Sequence, residues 1–296
     1  MSMRPPVTHF FNFGQVDDKM RPYIMAEYAA NGGRNLVLTD ALIRDVMRQP
    51  RYAKTLIADA TSAGMKFVDA HAPFGIGEDL NLPFENGRQS MLMRFKLAFE
   101  ISAHFGVESI TCHVGNTSPE YAEYSLDHLH ACAIRSLEEL LPTAERLGLT
   151  LAIENIWFPA NTPEKLVAII NHFKSDNLGL CYDAGHANLM AKDRGAEDSR
   201  PIRAWKDFGP ISYDAHILEK MLPHVTTCHL QDNHGLQDEH LLPGRGTVVW
   251  PHVIDLLKTA PRLKCFQNES SPVGSGASIA DTCRTFRELL GSTAAG

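Results

Sequence analysis

The chain has 296 residues, 44% hydrophobic and 21% charged, with 28 Lys and Arg against 35 Asp and Glu for a formal net charge of -7. This composition excludes a disordered chain, and no run approaches the roughly 18 apolar residues of a membrane span. The amino terminus, MSMRPPVTHFFNF, has no apolar segment after its arginine, and the acidic balance disfavours a polyanionic partner, so a cytoplasmic globular protein without membrane association is expected.

Short apolar runs alternate with amphipathic stretches along the chain. HFFNF (9–13) is the first expected strand, followed by a helix over 18–31 that Gly32-Gly33 stops. NLVLTD (35–40) and MKFVDAH (65–71) are the next strands, then a helix over 87–105 with Gly106 as its stop. SITCHVG (109–115) precedes the longest helical pattern, 119–147, which ends at Gly148. LTLAIEN (149–155), a helix opened by Pro163, and LGLCYDAGH (178–186) follow. Residues 190–216 form a longer, more polar connection, expected to act as a lid or an oligomer contact. VTTCHLQD (225–232), a helix opened at Trp250-Pro251, LKCFQNES (263–270) and a helix over 281–290 complete the pattern. Runs so short and so nearly continuous in apolar character suit strands buried in a parallel sheet. Eight of them alternating with helices predict a (β/α)8 barrel spanning 1–296 as one domain. No GxGxxG follows the first strand, against a doubly wound dinucleotide fold. The six cysteines form no CxxC pair and read as reduced thiols, four of them packed in strands as small hydrophobes.

The acids and histidines fall where a barrel carries its chemistry. His71, His113, Glu154, Asp183 with His186, His229 and Glu269 sit at the carboxyl ends of strands three to eight, the face on which barrel enzymes place their active sites. A charge in a buried strand costs several kcal/mol unless it is paired or metal-bound. Glu154, Asp183, His229 and Glu269 make a mixed oxygen and nitrogen set suited to one divalent ion, Mn, Co, Zn or Mg, with positions left for two substrate oxygens. Two glutamates on separated strands can flank that substrate, one removing a proton from carbon and the other returning it, while the ion stabilises the enediolate.

AIEN (152–155), DAGHAN (183–188) and HLQDNHGLQDEHLLPGRGTVVW (229–250) resemble the xylose-isomerase-like barrel superfamily, which holds sugar isomerases and epimerases together with type IV apurinic endonucleases. The resemblance implies Glu154, Asp183, His229 and Glu269 as shared metal ligands. In the epimerase branch it also implies Glu154 and Glu269 as the acid–base pair and His186 as a contact to substrate oxygens. In the nuclease branch it implies further ligands, His71, His113, His186, Asp238 and His240, and up to three zinc ions. The wording DAGHANLM and HLQDNHG resembles the isomerase members, and no loop combines aromatic and basic residues to wedge into a duplex. The expected activity is therefore a metal-dependent isomerase or epimerase acting on a sugar, sugar phosphate or polyol. The alternatives are a multinuclear zinc phosphodiesterase and a keto-inositol-type dehydratase. A barrel that binds a sugar without turning it over is disfavoured by the presence of both glutamates. Phe74 and Trp157 are candidates to stack on a sugar ring, and Arg245 to meet a substrate phosphate or carboxylate. Asn155, Asn188, Asp232 and Gln267 are candidates to orient ligands. The resemblance also implies a homodimer or homotetramer.

Overall fold

The computed structural model describes residues 5–115, 121–270 and 272–291. Eight parallel strands close into a barrel in sequence order: β1 (Val7–His9), β2 (Asn35–Leu38), β3 (Lys66–His71), β4 (Ser109–Cys112), β5 (Thr150–Glu154), β6 (Leu178–Asp183), β7 (Val225–Leu230) and β8 (Cys265–Asn268), with β8 returning to β1. Twelve α-helices accompany them among the described residues: α1 (Arg21–Ala30), α2 (Asp40–Arg48), α3 (Tyr52–Ser62), α4 (Glu85–His104), α5 (Leu126–Leu147), α6 (Pro163–Phe173), α7 (Ala184–Met190), α8 (Arg200–Trp205), α9 (Ile217–Met221), α10 (Trp250–Leu257), α11 (Pro272–Ser275) and α12 (Ile279–Leu290). No described helix is long and apolar enough to cross a membrane.

Alternation along the strands sets the site. On β5, Leu151 and Ile153 join the apolar shell beneath the helices, while Glu154 meets side chains from across the barrel. On β3, Phe67 and Ala70 pack outward; Asp69 accepts hydrogen bonds inside the barrel from Ser109 of β4 (2.7 Å) and Thr227 of β7 (3.2 Å). The inward positions thus form a polar layer low in the barrel and a row of acids and imidazoles above it. The runs that read as uniformly apolar are apolar on one face only.

Several boundaries differ from expectation. The first strand lies at 7–9 rather than 9–13, because Phe11 and Phe13 pack against each other in the core (4.9 Å between rings) and the chain enters a 3-10 turn at Phe13. Two unexpected helices, α2 and α3, separate β2 from β3; the Thr39 hydroxyl caps the first by accepting from the Leu42 N–H, and Pro50 stands between them. Strand β6 stops at Asp183, so His186 lies in the first turn of α7. α5 begins at Leu126 behind the Ser125 cap, and residues 119 and 120 of the expected helix lie outside the described residues. Gly148 ends α5 in the left-handed region, as expected of a helix stop.

One buried carboxylate organises the loop after β7. Asp232 accepts at Oδ1 from the Asn233 (2.9 Å) and Val248 (3.1 Å) N–H groups, and at Oδ2 from the Gly244 N–H (2.8 Å) and the Trp250 indole (2.9 Å). A Cβ on Gly246 would stand 2.3 Å from both Asp232 Oδ1 and the Asn233 carbonyl oxygen, which explains the second glycine of PGRG. Asp232 therefore braces the loop instead of orienting a ligand. Asp232→Ala should lose about 3 kcal/mol or more by stranding several donors at once. Urea unfolding measures this, and a loss below about 1 kcal/mol would mean water replaces the carboxylate.

Candidate metal centre

Four side chains from four strands converge at the carboxyl end of the barrel. One ligand atom each of Glu154, Asp183, His229 and Glu269 lies within 4.8 Å of the others, and all four residues are buried. His229 Nδ1 is the hub, at 3.0 Å from Glu154 Oε1, 3.2 Å from Glu269 Oε1 and 3.9 Å from Asp183 Oδ2. Its Nε2 is 3.2 Å from the Thr111 hydroxyl, which fixes the ring with Nδ1 toward the carboxylates.

Local sequence explains Asp183. Its backbone is extended at the end of β6, and its Oδ1 caps α7 by accepting from the His186 N–H at 2.5 Å. The other oxygen, Oδ2, is buried with no hydrogen-bond donor, as is Oε2 of Glu269. Gly185 is required because a Cβ there would come within 2.2 Å of the Gln231 carboxamide. Gln231 in turn donates to Asp183 Oδ1 (3.3 Å) and Asp238 Oδ1 (2.9 Å). Orphaned carboxylate oxygens facing a correctly turned imidazole fit a divalent ion, and the oxygen and nitrogen donors suit Mn, Co, Zn or Mg.

Around this group stand the remaining histidines. His113 Nε2 is 3.0 Å and His71 Nε2 3.7 Å from Glu154 Oε2, and His71, His113 and Glu154 form a second cluster of metal-ligand geometry. His71 donates from Nδ1 to the Ala72 carbonyl (2.8 Å), leaving Nε2 toward Glu154. His186 donates from Nδ1 to the Asn155 carbonyl (2.9 Å), and its Nε2 lies 3.7 Å from Asp238, which His240 Nε2 reaches at 3.1 Å.

The charges answer one another. Burial opposes the Glu154 carboxylate, yet the His229 charge and hydrogen bonds from His113, His186 and His229 hold it well below the usual range. Burial likewise opposes Glu269, but His229 and then His240 bring it down to about 2. Asp183 goes the other way: burial pushes it well above the carboxylate range, and the pull of His186 does not overcome the crowding by Glu269 and Glu154. Burial works against a charged His240, but Asp238 raises it to about 10.

Above the cluster opens a cavity of about 390 Å³ whose walls include Phe74, Trp157, His113, His186 and Asp238. Phe74 packs on the rings of His71 and His113 (5.0 and 4.7 Å) and Trp157 stands edge-on to His186 (4.8 Å). All nine expected acids and histidines are thus brought together with both aromatics. Arg245 is not: it is exposed in the braced turn and is absent from the cavity wall. Residues that sequence reasoning missed are Gln231, Thr111, Asp69 and the buried Cys181, whose thiol burial pushes up. Only the inward period of their strands signals them. Asn12, Asp40 and Asp79 on the cavity wall carried no signal at all.

A closed eight-stranded parallel barrel with a buried acid–imidazole centre at its carboxyl end defines the class of this protein. A family model for the xylose isomerase-like TIM barrel matches residues 32–263, and the chain belongs to that family. It is 28% identical over 203 residues to an uncharacterized protein of Methanocaldococcus jannaschii and 26% over 167 residues to one of Sinorhizobium fredii, matching 64% and 55% of this chain. The matched parts span 60% and 47% of those relatives' lengths. Among solved structures, the chain is similar to a D-tagatose 3-epimerase-like protein (TM-score 0.70, 19% identity, 98% of both chains) and to the IOLI protein with a bound zinc atom (0.71, 16%, 96% and 98%). It is also similar to an AP endonuclease of family 2 from Brucella melitensis (0.67, 13%, 96% and 99%). At these identities the likenesses establish the fold.

Gln231→Met keeps the volume under Gly185 but removes both donated hydrogen bonds. It should weaken divalent-metal affinity about tenfold or more, read by calorimetric titration of the folded variant with Mn²⁺. An unchanged affinity would show that Asp183 is held by its cap alone.

Proposed function

We propose that the chain is a divalent-metal-dependent isomerase or epimerase of a sugar, sugar phosphate or polyol, with Glu154 and Glu269 as the proton-transfer pair. The observation that carries this reading is the disposition of the two glutamates. They come from separate strands, approach His229 Nδ1 through Oε1, and leave Oε2 without a hydrogen-bond partner, that of Glu154 lying 3.0 Å from His113 Nε2. Glu154, Asp183, His229 and Glu269 would hold a divalent ion, which would supply positive charge to stabilise an enediolate. The glutamates then need only take a proton at one carbon and deliver it elsewhere. The Phe74 and Trp157 rings offer apolar walls for the carbon faces of a sugar, and His186, fixed through Nδ1, presents Nε2 for a substrate oxygen. A keto-inositol dehydratase would use the same proton chemistry with loss of a β-hydroxyl.

A second reading has its own observation. His71 and His113 with Glu154, and His186 with Asp238 and His240, are two further groups of donors flanking the four-residue centre. Two or three zinc ions distributed over them would suit hydrolysis of a phosphodiester.

Metal content separates the two. Elemental analysis of protein purified without chelator or histidine tag should give about one divalent ion per chain. Two or three zinc ions would transfer the weight to phosphoester hydrolysis, tested next on abasic-site DNA. Across a ketose panel in D₂O, Glu154→Gln and Glu269→Gln should each lower turnover and deuterium incorporation by about 100-fold or more. Metal content measured on the same variants separates lost proton transfer from lost metal. Near-wild-type exchange in both would remove the acid–base assignment. His71→Ala and His113→Ala should cost the isomerase less than either glutamate change, whereas a multinuclear hydrolase would lose activity in both.

A further inference from the structure

The 190–216 connection brings a cation against Trp157, a residue of the cavity wall, although Arg200 is not itself a wall residue. Arg200, the first residue of α8, is exposed, and its guanidinium lies over the Trp157 ring at 5.6 Å. That ring is the one that lines the cavity edge-on to His186 at 4.8 Å. The placement is fixed from both sides: the Arg200 N–H donates to the Leu236 carbonyl (3.0 Å), on the loop that carries Asp238 and His240, and the Trp205 indole donates to the Trp157 carbonyl (2.9 Å). Among the described residues the Arg200 guanidinium has no hydrogen bond and no ion pair. Its neighbour Asp198 is taken by Arg203 (2.8 Å). Arg44 and Arg94, which donate to the Phe74 and Gly77 carbonyls, both pair with Glu78.

We propose that Arg200 is a specificity-determining residue that recognises an anionic group, phosphate or carboxylate, on the substrate distal to the metal centre. The inference rests on reading the cavity as a sugar site and narrows its substrate class to charged sugars. The physical case is one of supply. The cavity wall carries Asp40, Asp79, Glu154, Asp238 and Glu269 beside its imidazoles and includes no arginine or lysine, which leaves the guanidinium against Trp157 to meet an anionic terminus. That guanidinium lies 5.6 Å from the Trp157 ring centroid, within cation–π range, with its five N–H donors unspent. A cation–π contact uses no donor and restricts the side chain, so the ordering cost of binding an anion is reduced.

Calorimetric titration of the Mn²⁺-loaded wild type and of Arg200→Met with D-fructose, D-fructose 6-phosphate and a hexuronate decides the matter. The charged sugars should bind wild type about tenfold or more tighter than D-fructose, and Arg200→Met should erase that advantage while leaving D-fructose unchanged. Which charged sugar gains more distinguishes phosphate from carboxylate. An equal ratio in the two proteins, or tighter binding of the neutral sugar by wild type, overturns the proposal. If no sugar binds either protein, the sugar reading of the cavity fails on its own. Inorganic phosphate titrated into the same two proteins then still judges Arg200, and equal affinity overturns its role.

Discussion

Burying carboxylates is the constraint on which this molecule turns. Glu154, Asp183, Asp238 and Glu269 lie at one end of the barrel, largely cut off from water, and each would be strongly disfavoured alone. Five imidazoles answer them, with His229 at the hub. The compensation is incomplete: burial and then the crowding of Glu269 and Glu154 push Asp183 above the usual carboxylate range, and one oxygen each of Glu154, Asp183 and Glu269 has no hydrogen-bond partner. A single small cation would answer both faults at once, which is the physical ground for proposing a metal there.

The barrel supplies that concentration of charge because its strands alternate. Each places apolar residues against the helices and polar ones in the lumen, so adjacent parallel strands deliver acids and histidines to one level. Support for the centre comes from within the same lumen: Thr111 turns His229, Gln231 ties Asp183 to Asp238, and Asp69 with Ser109 and Thr227 closes the layer beneath. Candidate ligands at strand ends, oriented by residues on or just beyond other strands, need no loop closure to assemble.

Much of this was legible in the sequence. Eight apolar runs announced the barrel, and charged residues at their ends announced the site, because a buried charge is conspicuous in an apolar run. What escaped was of three kinds. Strand ends were misplaced where aromatic residues pack without extending, as at Phe11 and Phe13, or where a capping acid starts a helix, as at Asp183. Short helices α2 and α3 went unseen between β2 and β3. Supporting residues such as Gln231 and Thr111 were passed over because an uncharged polar residue in a strand signals itself only through the inward period, which does not say which of several such residues meets a ligand. Arg245 failed for the opposite reason: its flanking glycines advertise a special loop, but their purpose is the close approach to Asp232 and Asn233.

That close approach bears on how kinship is read in this fold. The block from His229 to Trp250 is the most distinctive stretch of the chain, yet much of its distinctiveness comes from one carboxylate gathering backbone and indole donors across eighteen positions. Its Asp, Gly, Gly and Trp spacing records how a loop is folded back upon itself. Two chains sharing that spacing share a piece of carpentry, and neither inherits from it a preference for what is set on the bench. The residues of that block that face the cavity, Asp238 and His240, stand outside the spacing altogether.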